Sequence, residues 1–427
     1  MVKPILKYEE IDLQKLSRKS YGDDSELEER VAEIITRIKD QGDQALRELT
    51  LKYDGVDLLK TGLKVEQSEF EAAYKQIDRG FFQALKQAIE NIKEYHERQK
   101  RNSWLQTAED GSVMGQLIRP LQRVGIYVPG GTAAYPSSVL MNALPAAVAG
   151  VEQIVMVSPP RPDGSLLPEV LVAAAECGIK EVYKIGGAQA IAALAYGTET
   201  IMPVDKITGP GNIYVTLAKK QLYGTVDIDM LAGPSEILIL ADQTGQPQEL
   251  AADLLSQAEH DKLASAVLIS PDRALLDSTV KEVKRQIELL PRAEIAREAW
   301  EKYGAAILVR DLEQGMELVN KIAPEHFELV VEDPFAWLGK VKNAGAVFLG
   351  RNTPEAVGDY FAGPNHILPT GGTARFYSVL DVDAFVKKIS FINYSEEALK
   401  RDAEAIMILA RREGLEAHAR SIEVRIK

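Results

Sequence analysis

Val124-Gly125-Ile126-Tyr127-Val128-Pro129-Gly130-Gly131 is an apolar run of strand length that ends in a Pro-Gly-Gly turn, and Ser137 to Val151 behind it carries the small and apolar residues of a packed helix. That succession is one βα unit. The alternation repeats downstream: strand Gln153 to Val157, helix Leu167 to Cys177, strand Glu181 to Ile185, a Gly186-Gly187 turn, helix Ala190 to Tyr196, strand Lys206 to Thr208, a Gly209-Pro210-Gly211-Asn212 loop and helix Ile213 to Leu222. Strands alternating with helices pair in parallel and are covered on both faces.

A second block of the same texture begins with strand Glu236 to Leu240. It continues through helix Gln248 to His260, strand Ala266 to Ile269, two helical stretches up to Lys302, strand Ala305 to Val309, helix Leu312 to Ile322, and strands Glu328 to Val331 and Ala346 to Leu349. The fold class expected is α/β, with two Rossmann-like parallel-sheet domains. Two such blocks place an active site in the cleft between them, at the C-terminal ends of their strands. Before the first block, Ser25 to Arg101 has helical spacing, with Val31, Ile34, Ile35 and Ile38 on one face, and reads as scaffold. After Gly350 a loop-rich stretch with Gly358, Gly363, Pro364, Pro369, Gly371 and Gly372 is too long for a linker, and loops of that length are usually functional. A charged helix from Ser395 to Ala419 closes the chain.

The 427 residues are 46% hydrophobic and 26% charged, enough for two or three domains with substantial cores. With 50 basic against 63 acidic side chains the formal charge is -13, which disfavours nucleic acid and anionic membrane as partners. The first twenty residues lack the apolar region of a secretory signal, and no apolar run is long enough to span a bilayer. A single cysteine, Cys177, excludes an intramolecular disulfide and suits the reducing cytoplasmic compartment. It reads as a small buried residue, the alternative being a nucleophile for thiohemiacetal chemistry.

Chemistry concentrates around few residues. Gln257 and His260 are three apart in Ser256-Gln257-Ala258-Glu259-His260-Asp261, so a helix projects both from one face toward a shared metal ion. Of the five histidines, His96 sits in the charged run Glu94-Tyr95-His96-Glu97-Arg98 and is expected to be exposed. His326 follows Glu325 at a helix-to-strand junction, and an adjacent acid and imidazole form a proton-transfer pair. Asp359 and His366 lie in the long loop; beside Gln257 they would make a mixed N/O metal site suited to zinc, although glutamine is a poor zinc ligand. The turns at Gly130-Gly131, Gly186-Gly187 and Gly209-Pro210-Gly211 are each either a tight turn or a place where backbone amides approach a pyrophosphate. None is the full dinucleotide fingerprint. Ser235, ahead of Glu236, reads as a turn residue or as a polar contact at the floor of the cleft. Three functions fit: a zinc-dependent dehydrogenase, a zinc hydrolase using Glu325 on water, and a non-catalytic nucleotide-binding protein.

Taken together, Ala232-Gly233-Pro234-Ser235-Glu236, the Gln257 to Asp261 stretch, Pro324-Glu325-His326, Gly363-Pro364-Asn365-His366, and Glu413-Gly414-Leu415 with Ala417-His418 resemble the histidinol dehydrogenase family, in order and across nearly the whole chain. The resemblance implies a zinc- and NAD-dependent oxidation of L-histidinol to L-histidine through L-histidinal. It implies one zinc per subunit on Gln257, His260, Asp359 and His418, an acid and base pair Glu325 and His326, and NAD contacts at Tyr127, Gln189 and Asn212. Substrate contacts would be Ser235, Gln257, His260, His326, Asp359, Glu413 and His418. It further implies a homodimer of intertwined subunits in which Glu413 and His418 act on the partner's site. The domain expectation is a tail over 1–24, a discontinuous α/β domain over 25–122 with 237–377 that carries the helical N-terminal region, an NAD-binding α/β domain over 123–236, and a small helical C-terminal domain over 378–427.

Overall fold

The computed structural model describes residues 5–12, 25–130 and 135–426. Gly131 and most of the expected 1–24 tail lie outside them. The chain divides into two units, Met1–Gln99 with Gln122–Phe385, and Lys100–Leu121 with Val386–Lys427.

The elements run β1 (Leu6–Lys7), α1 (Ser25–Asp54), α2 (Gln67–Tyr74), α3 (Arg79–Glu97), β2 (Trp104–Thr107), β3 (Val113–Pro120), β4 (Arg123–Tyr127), α4 (Pro136–Ala149), β5 (Gln153–Ser158), α5 (Pro168–Glu176), β6 (Glu181–Lys184), α6 (Gly187–Tyr196), β7 (Lys206–Thr208), α7 (Ile213–Leu222) and β8 (Asp227–Ile228). They continue with β9 (Glu236–Ala241), α8 (Pro247–Ala258), β10 (Ser265–Ser270), α9 (Arg273–Ile287), α10 (Ala293–Tyr303), β11 (Ala305–Leu308), α11 (Leu312–Ile322), β12 (His326–Val330), β13 (Ala346–Leu349), α12 (Glu355–Tyr360), β14 (Val386–Asn393), α13 (Glu396–Arg412) and α14 (Glu416–Ile426).

In the first unit the earlier sheet is all parallel, in the order β6-β5-β4-β7-β8. Every residue of β4 is buried, as a strand covered on both faces requires. The chain fills one side of β4 with β5 and β6 and then crosses to β7, so the order reverses between β4 and β7. A crevice opens there at the C-terminal strand ends. One core joins Val31, Ile35, Ile38, Leu46 and Leu49 of α1 to Val155, Val157, Tyr183 and Ile191 of this sheet and its helix α6. The N-terminal helices, grouped by sequence with 237–377, thus bury their apolar stripe against the sheet of 123–236. Their spacing announces a buried face without saying which sheet receives it.

The later sheet, β1-β11-β10-β9-β12-β13, is also parallel and has cores on both faces. Leu6 and Lys7, expected within a tail, pair with Ile307 and Leu308 as its edge strand. Here the order reverses between β9 and β12. Burial of side chains such as Phe327 and Ile239, fully buried on opposite faces of that centre, contributes roughly 1.5–3 kcal/mol each. No helix among the described residues is long and apolar enough to cross a membrane.

The second unit has the expected helices and also an antiparallel sheet, β14-β3-β2, that the sequence reading did not resolve. The expected single helix from Ser395 to Ala419 is two. Ser395 caps α13 by accepting from the Ala398 amide at 3.1 Å, and the helix stops at Glu413 because Gly414 takes φ 79°, a left-handed conformation that glycine adopts without strain.

Candidate active site

Four elements of the first unit converge on one buried cluster. Strands β9 and β12 are register neighbours with His326 opposite Ile237, so Glu236, Glu325 and His326 meet where the two strands start. Glu325 and His326, expected as an acid and base pair, lie at the N-terminal edge of this sheet and not at its C-terminal strand ends. Helix α8 explains it. A helix packed on a parallel sheet runs opposite to the strands, so its last turn, carrying Gln257, ends at the edge where they begin. Helix α12 adds Glu355 and Asp359, four residues apart and therefore on one face.

Glu236 holds Glu325 and His326 by its main chain. Its amide donates to Glu325 Oε2 at 2.7 Å, and His326 Nδ1 donates to its carbonyl at 2.9 Å. A carbonyl only accepts, so Nδ1 carries a proton, and Nε2 is the nitrogen left to exchange one. Nε2 has no hydrogen-bond partner and lies 3.5 Å from Asp359 Oδ1. Glu325 Oε2 is 3.6 Å from Nδ1. Gln257 Nε2 donates to Glu355 Oε1 and stands 3.5 Å from His326 Nδ1, while its Oε1 is buried without a partner. Ser256 donates to Glu355 Oε2 at 2.7 Å, and the Glu355 amide donates to Glu328 Oε1 at 2.9 Å.

Charge shapes the cluster. Burial alone would lower His326, but Glu325, Asp359 and Glu355 outweigh it and hold the imidazole well above its ordinary value, stabilising the charged ring that forms when it takes up a proton. Asp359, although burial pushes it up, is brought down to about 2 by the His326 imidazole beside it. Burial lifts Glu355 to about 8, and lifts Glu328 well above the carboxylate range with Asp253 adding like charge. His366 donates Nδ1 to the Asp359 carbonyl at 2.9 Å and so supports the loop that presents Asp359. A cavity of about 320 Å³ opens beside Asp359, lined also by Tyr95, Gln99, Phe348, Asn365 and Leu380.

The expected NAD contacts gather around the other crevice. Tyr127 ends β4, and its hydroxyl accepts from the Gly187 amide at 3.1 Å; burial pushes the phenol to about 12. Gln189 in the first turn of α6 reaches Asp54 Oδ2 at 3.5 Å, and burial lifts that carboxyl to about 6. Asn212 is exposed and caps α7, accepting from the Tyr214 and Val215 amides at 3.1 and 3.2 Å. The loop before it is clamped by a buried ion pair. Asp229 accepts from the Gly209 amide at 2.8 Å and from Lys219, whose ammonium also reaches the Gly209 carbonyl at 3.0 Å. Gly209 has φ 113°, and a Cβ there would stand 2.1 Å from the Tyr127 carbonyl oxygen, so only glycine fits.

Of the residues named from sequence, Gln257, Glu325, His326 and Asp359 come together. His260, just past the end of α8, is exposed at the rim, near enough for Asp359, Glu325 and His326 to act on its charge. Ser235 is half-buried next to Glu236, and its carbonyl accepts from the Ser265 amide at 2.9 Å. Glu413 and His418 are exposed residues of the second unit. His96, expected at the surface, is fully buried, with Nδ1 2.7 Å from Gln99 Oε1; its charged neighbours face outward from α3 while its own position turns inward. The Cys177 thiol is pushed to about 12 by burial, which leaves it little thiolate and no nucleophilic character. Glu355 and Glu236 were not singled out as functional. The signal for Glu355 was its four-residue spacing from Asp359; that for Glu236 was absent, since its main chain does the holding. His326, Glu355 and Asp359 also form a group whose donor atoms lie within 4.8 Å of one another, a metal-capable set sharing only Asp359 with the expected one.

Residues 17–426 match the family model for histidinol dehydrogenase. The histidinol dehydrogenase of Moorella thermoacetica is 59% identical over 396 residues, covering 93% of each chain, and that of Bacillus subtilis is 57% identical over 414 residues, covering 96% of each. The crystal structure of histidinol dehydrogenase from Elizabethkingia anophelis superposes with a TM-score of 0.92 at 38% identity, covering 97% of this chain and 95% of that one. A family match over residues 17–426, relatives more than half identical and a shared fold at a TM-score of 0.92 lead to one conclusion: the chain belongs to the histidinol dehydrogenase family.

Proposed function

We propose that this protein is a histidinol dehydrogenase, oxidising L-histidinol to L-histidine through L-histidinal with two NAD, the last steps of histidine biosynthesis. The observation that carries the reading is His326: a buried imidazole with its tautomer fixed by Glu236, its Nε2 unpartnered, and Glu325 beside it.

Each oxidation removes a hydride from the carbinol carbon and a proton from its oxygen. His326 Nε2 takes that proton, and the carboxylates around it stabilise the imidazolium that results. Between the two oxidations water must add to the aldehyde. Glu325, with Oε2 engaged by the Glu236 amide, is held to accept a proton from that water. As the water adds, His326 returns its proton to the aldehyde oxygen, and the neutral ring then accepts the proton of the hydrate as the second hydride leaves. NAD, the hydride acceptor in both steps, would lie against Tyr127, Gln189 and Asn212 at the β4–β7 crevice.

The donor chemistry suits a divalent metal. Gln257 Oε1 is buried and unpartnered, Asp359 offers a carboxylate, and His260 an imidazole at the rim; His418 would complete an N/O set of the kind zinc accepts. Zinc bound there supplies a grip on the imidazole and amine of the substrate, which keeps the aldehyde in place while spent NADH exchanges.

A homodimer in which His418 and Glu413 serve the partner's site belongs to the same reading. The second unit supports it: Trp104, Leu105, Ile392, Ile408, Leu409 and Val424 are all at least half exposed in the single chain, more apolar surface than so small a unit ordinarily leaves in water.

The test is NADH formed per L-histidinol consumed at limiting substrate, with and without a strong zinc chelator. Two NADH, abolished by the chelator and restored by zinc, is the expected result. One NADH would mean that the aldehyde escapes, and none would overturn the reading.

A further inference from the structure

Glutamine is a weak metal ligand because its amide is neutral and can present either end. In this site only one end is available. The end of Gln257 that faces Glu355 is Nε2, which donates to Glu355 Oε1. Oε1 therefore points the other way, and although Gln257 is 1% exposed, that oxygen has no hydrogen-bond partner. Glu355 is itself fixed: Ser256 occupies its Oε2 at 2.7 Å, and Glu328 anchors its amide at 2.9 Å, leaving Oε1 for Gln257. Glu355 is 3% exposed, so no solvent competes for these contacts.

The geometry points to Glu355 as the positioning residue that aims the Gln257 carbonyl oxygen at the metal, with Ser256 and Glu328 holding Glu355 in turn. This rests on Gln257 being a zinc ligand. It turns a poor ligand into a usable one, because the orientation is set before the metal arrives rather than during binding. It also gives Glu355 a role distinct from the alternative its position allows, direct ligation alongside His326 and Asp359.

The test uses the purified full-length protein stripped of metal, Zn²⁺ affinity by chelator competition, and the visible spectrum after loading with Co²⁺. Glu355→Ala is expected to weaken Zn²⁺ binding about 10–100-fold, the usual loss when a group behind a ligand is removed. The Co²⁺ bands should keep their positions because the ligands are unchanged. Glu355→Gln should recover affinity to within about threefold of the native protein, since its amide oxygen still accepts from Gln257 and its amide nitrogen can donate to the Ser256 hydroxyl. Ser256→Ala, which leaves the cluster otherwise intact, should weaken binding less than Glu355→Ala and in the same direction.

Unchanged affinity in Glu355→Ala and Ser256→Ala overturns the proposal. A displaced Co²⁺ spectrum in Glu355→Gln also overturns it, in favour of Glu355 as a ligand. If Gln257→Ala binds Zn²⁺ as tightly as the native protein, it is the underlying zinc assignment that fails, and the two failures are told apart by which variant is silent.

Discussion

The buried ion pair under the Gly209 loop can be taken apart. Lys219 and Asp229 have side chains 3% and 1% exposed, and the pair holds both the amide and the carbonyl of Gly209. In Asp229→Asn the ammonium loses its counter-charge and keeps only neutral acceptors, the Gly209 carbonyl and the asparagine amide oxygen, and in Lys219→Met the carboxylate keeps two backbone amides, those of Gly209 and Met230. An uncompensated charge at such depth costs about 3–5 kcal/mol, the asparagine variant more than the methionine one because backbone amides still satisfy the carboxylate. The double variant carries no buried charge, and its loss should be smaller than that of Asp229→Asn alone. Urea unfolding followed by tryptophan fluorescence, run as a double-mutant cycle, is expected to return a coupling energy of at least about 2 kcal/mol. An NADH fluorescence titration should show weaker binding in both single variants, because the loop that leads to Asn212 loses its anchor. A coupling below about 0.5 kcal/mol, with NADH binding unchanged, would refute the reasoning.

Other outcomes follow from the site and the surface. His326→Ala should abolish turnover from histidinol, by roughly 10²–10⁴-fold in kcat, whereas Glu325→Ala should chiefly impair oxidation of supplied histidinal; stopped-flow of both half-reactions checks this, and equal losses would end that division of labour. The Asp54 carboxyl, lifted by burial to about 6 from an ordinary value of 3.8, favours the folded state when protonated, and that contribution is lost as pH rises through 6. Melting curves of Asp54→Asn should therefore coincide with those of the native protein near pH 4 and run hotter at pH 8; a lower melting temperature at pH 8 would contradict the sign. Ile392→Glu with Leu409→Glu should give a folded monomer by sedimentation, without metal-dependent activity, and a persisting dimer would remove the second unit from the interface.

Much of the first sheet was legible because its strands are covered on both faces, so β4 to β7 announce themselves as apolar runs between glycine turns. The antiparallel sheet was not. Strand β14 is exposed at every position except half-buried Val386 and Phe391 and carries Lys387 and Lys388, and β2 is exposed throughout, so neither has a core-facing rhythm to read. Glu325, His326, Gln257 and Asp359 were all named, since unusual polar residues at element ends advertise chemistry. Which edge of the sheet they occupy depended on strand order, which periodicity does not encode. His96 shows the converse: local charge suggested solvent, and only the packing around α3 reveals a buried ring hydrogen-bonded to Gln99.

Glu236 holds both members of the catalytic pair through atoms that every amino acid except proline possesses. Swapping its side chain costs the bond that Oε1 accepts from the Gly371 amide at 3.2 Å but leaves both main-chain contacts in place, so a conventional substitution scan would miss what this position does for Glu325 and His326. Only surgery on the polypeptide itself, such as an ester at the amide it contributes to Glu325, would misalign one partner while sparing the other. The spacing between the two proton carriers is thus written into strand register and is shielded from most point mutations that could disturb it.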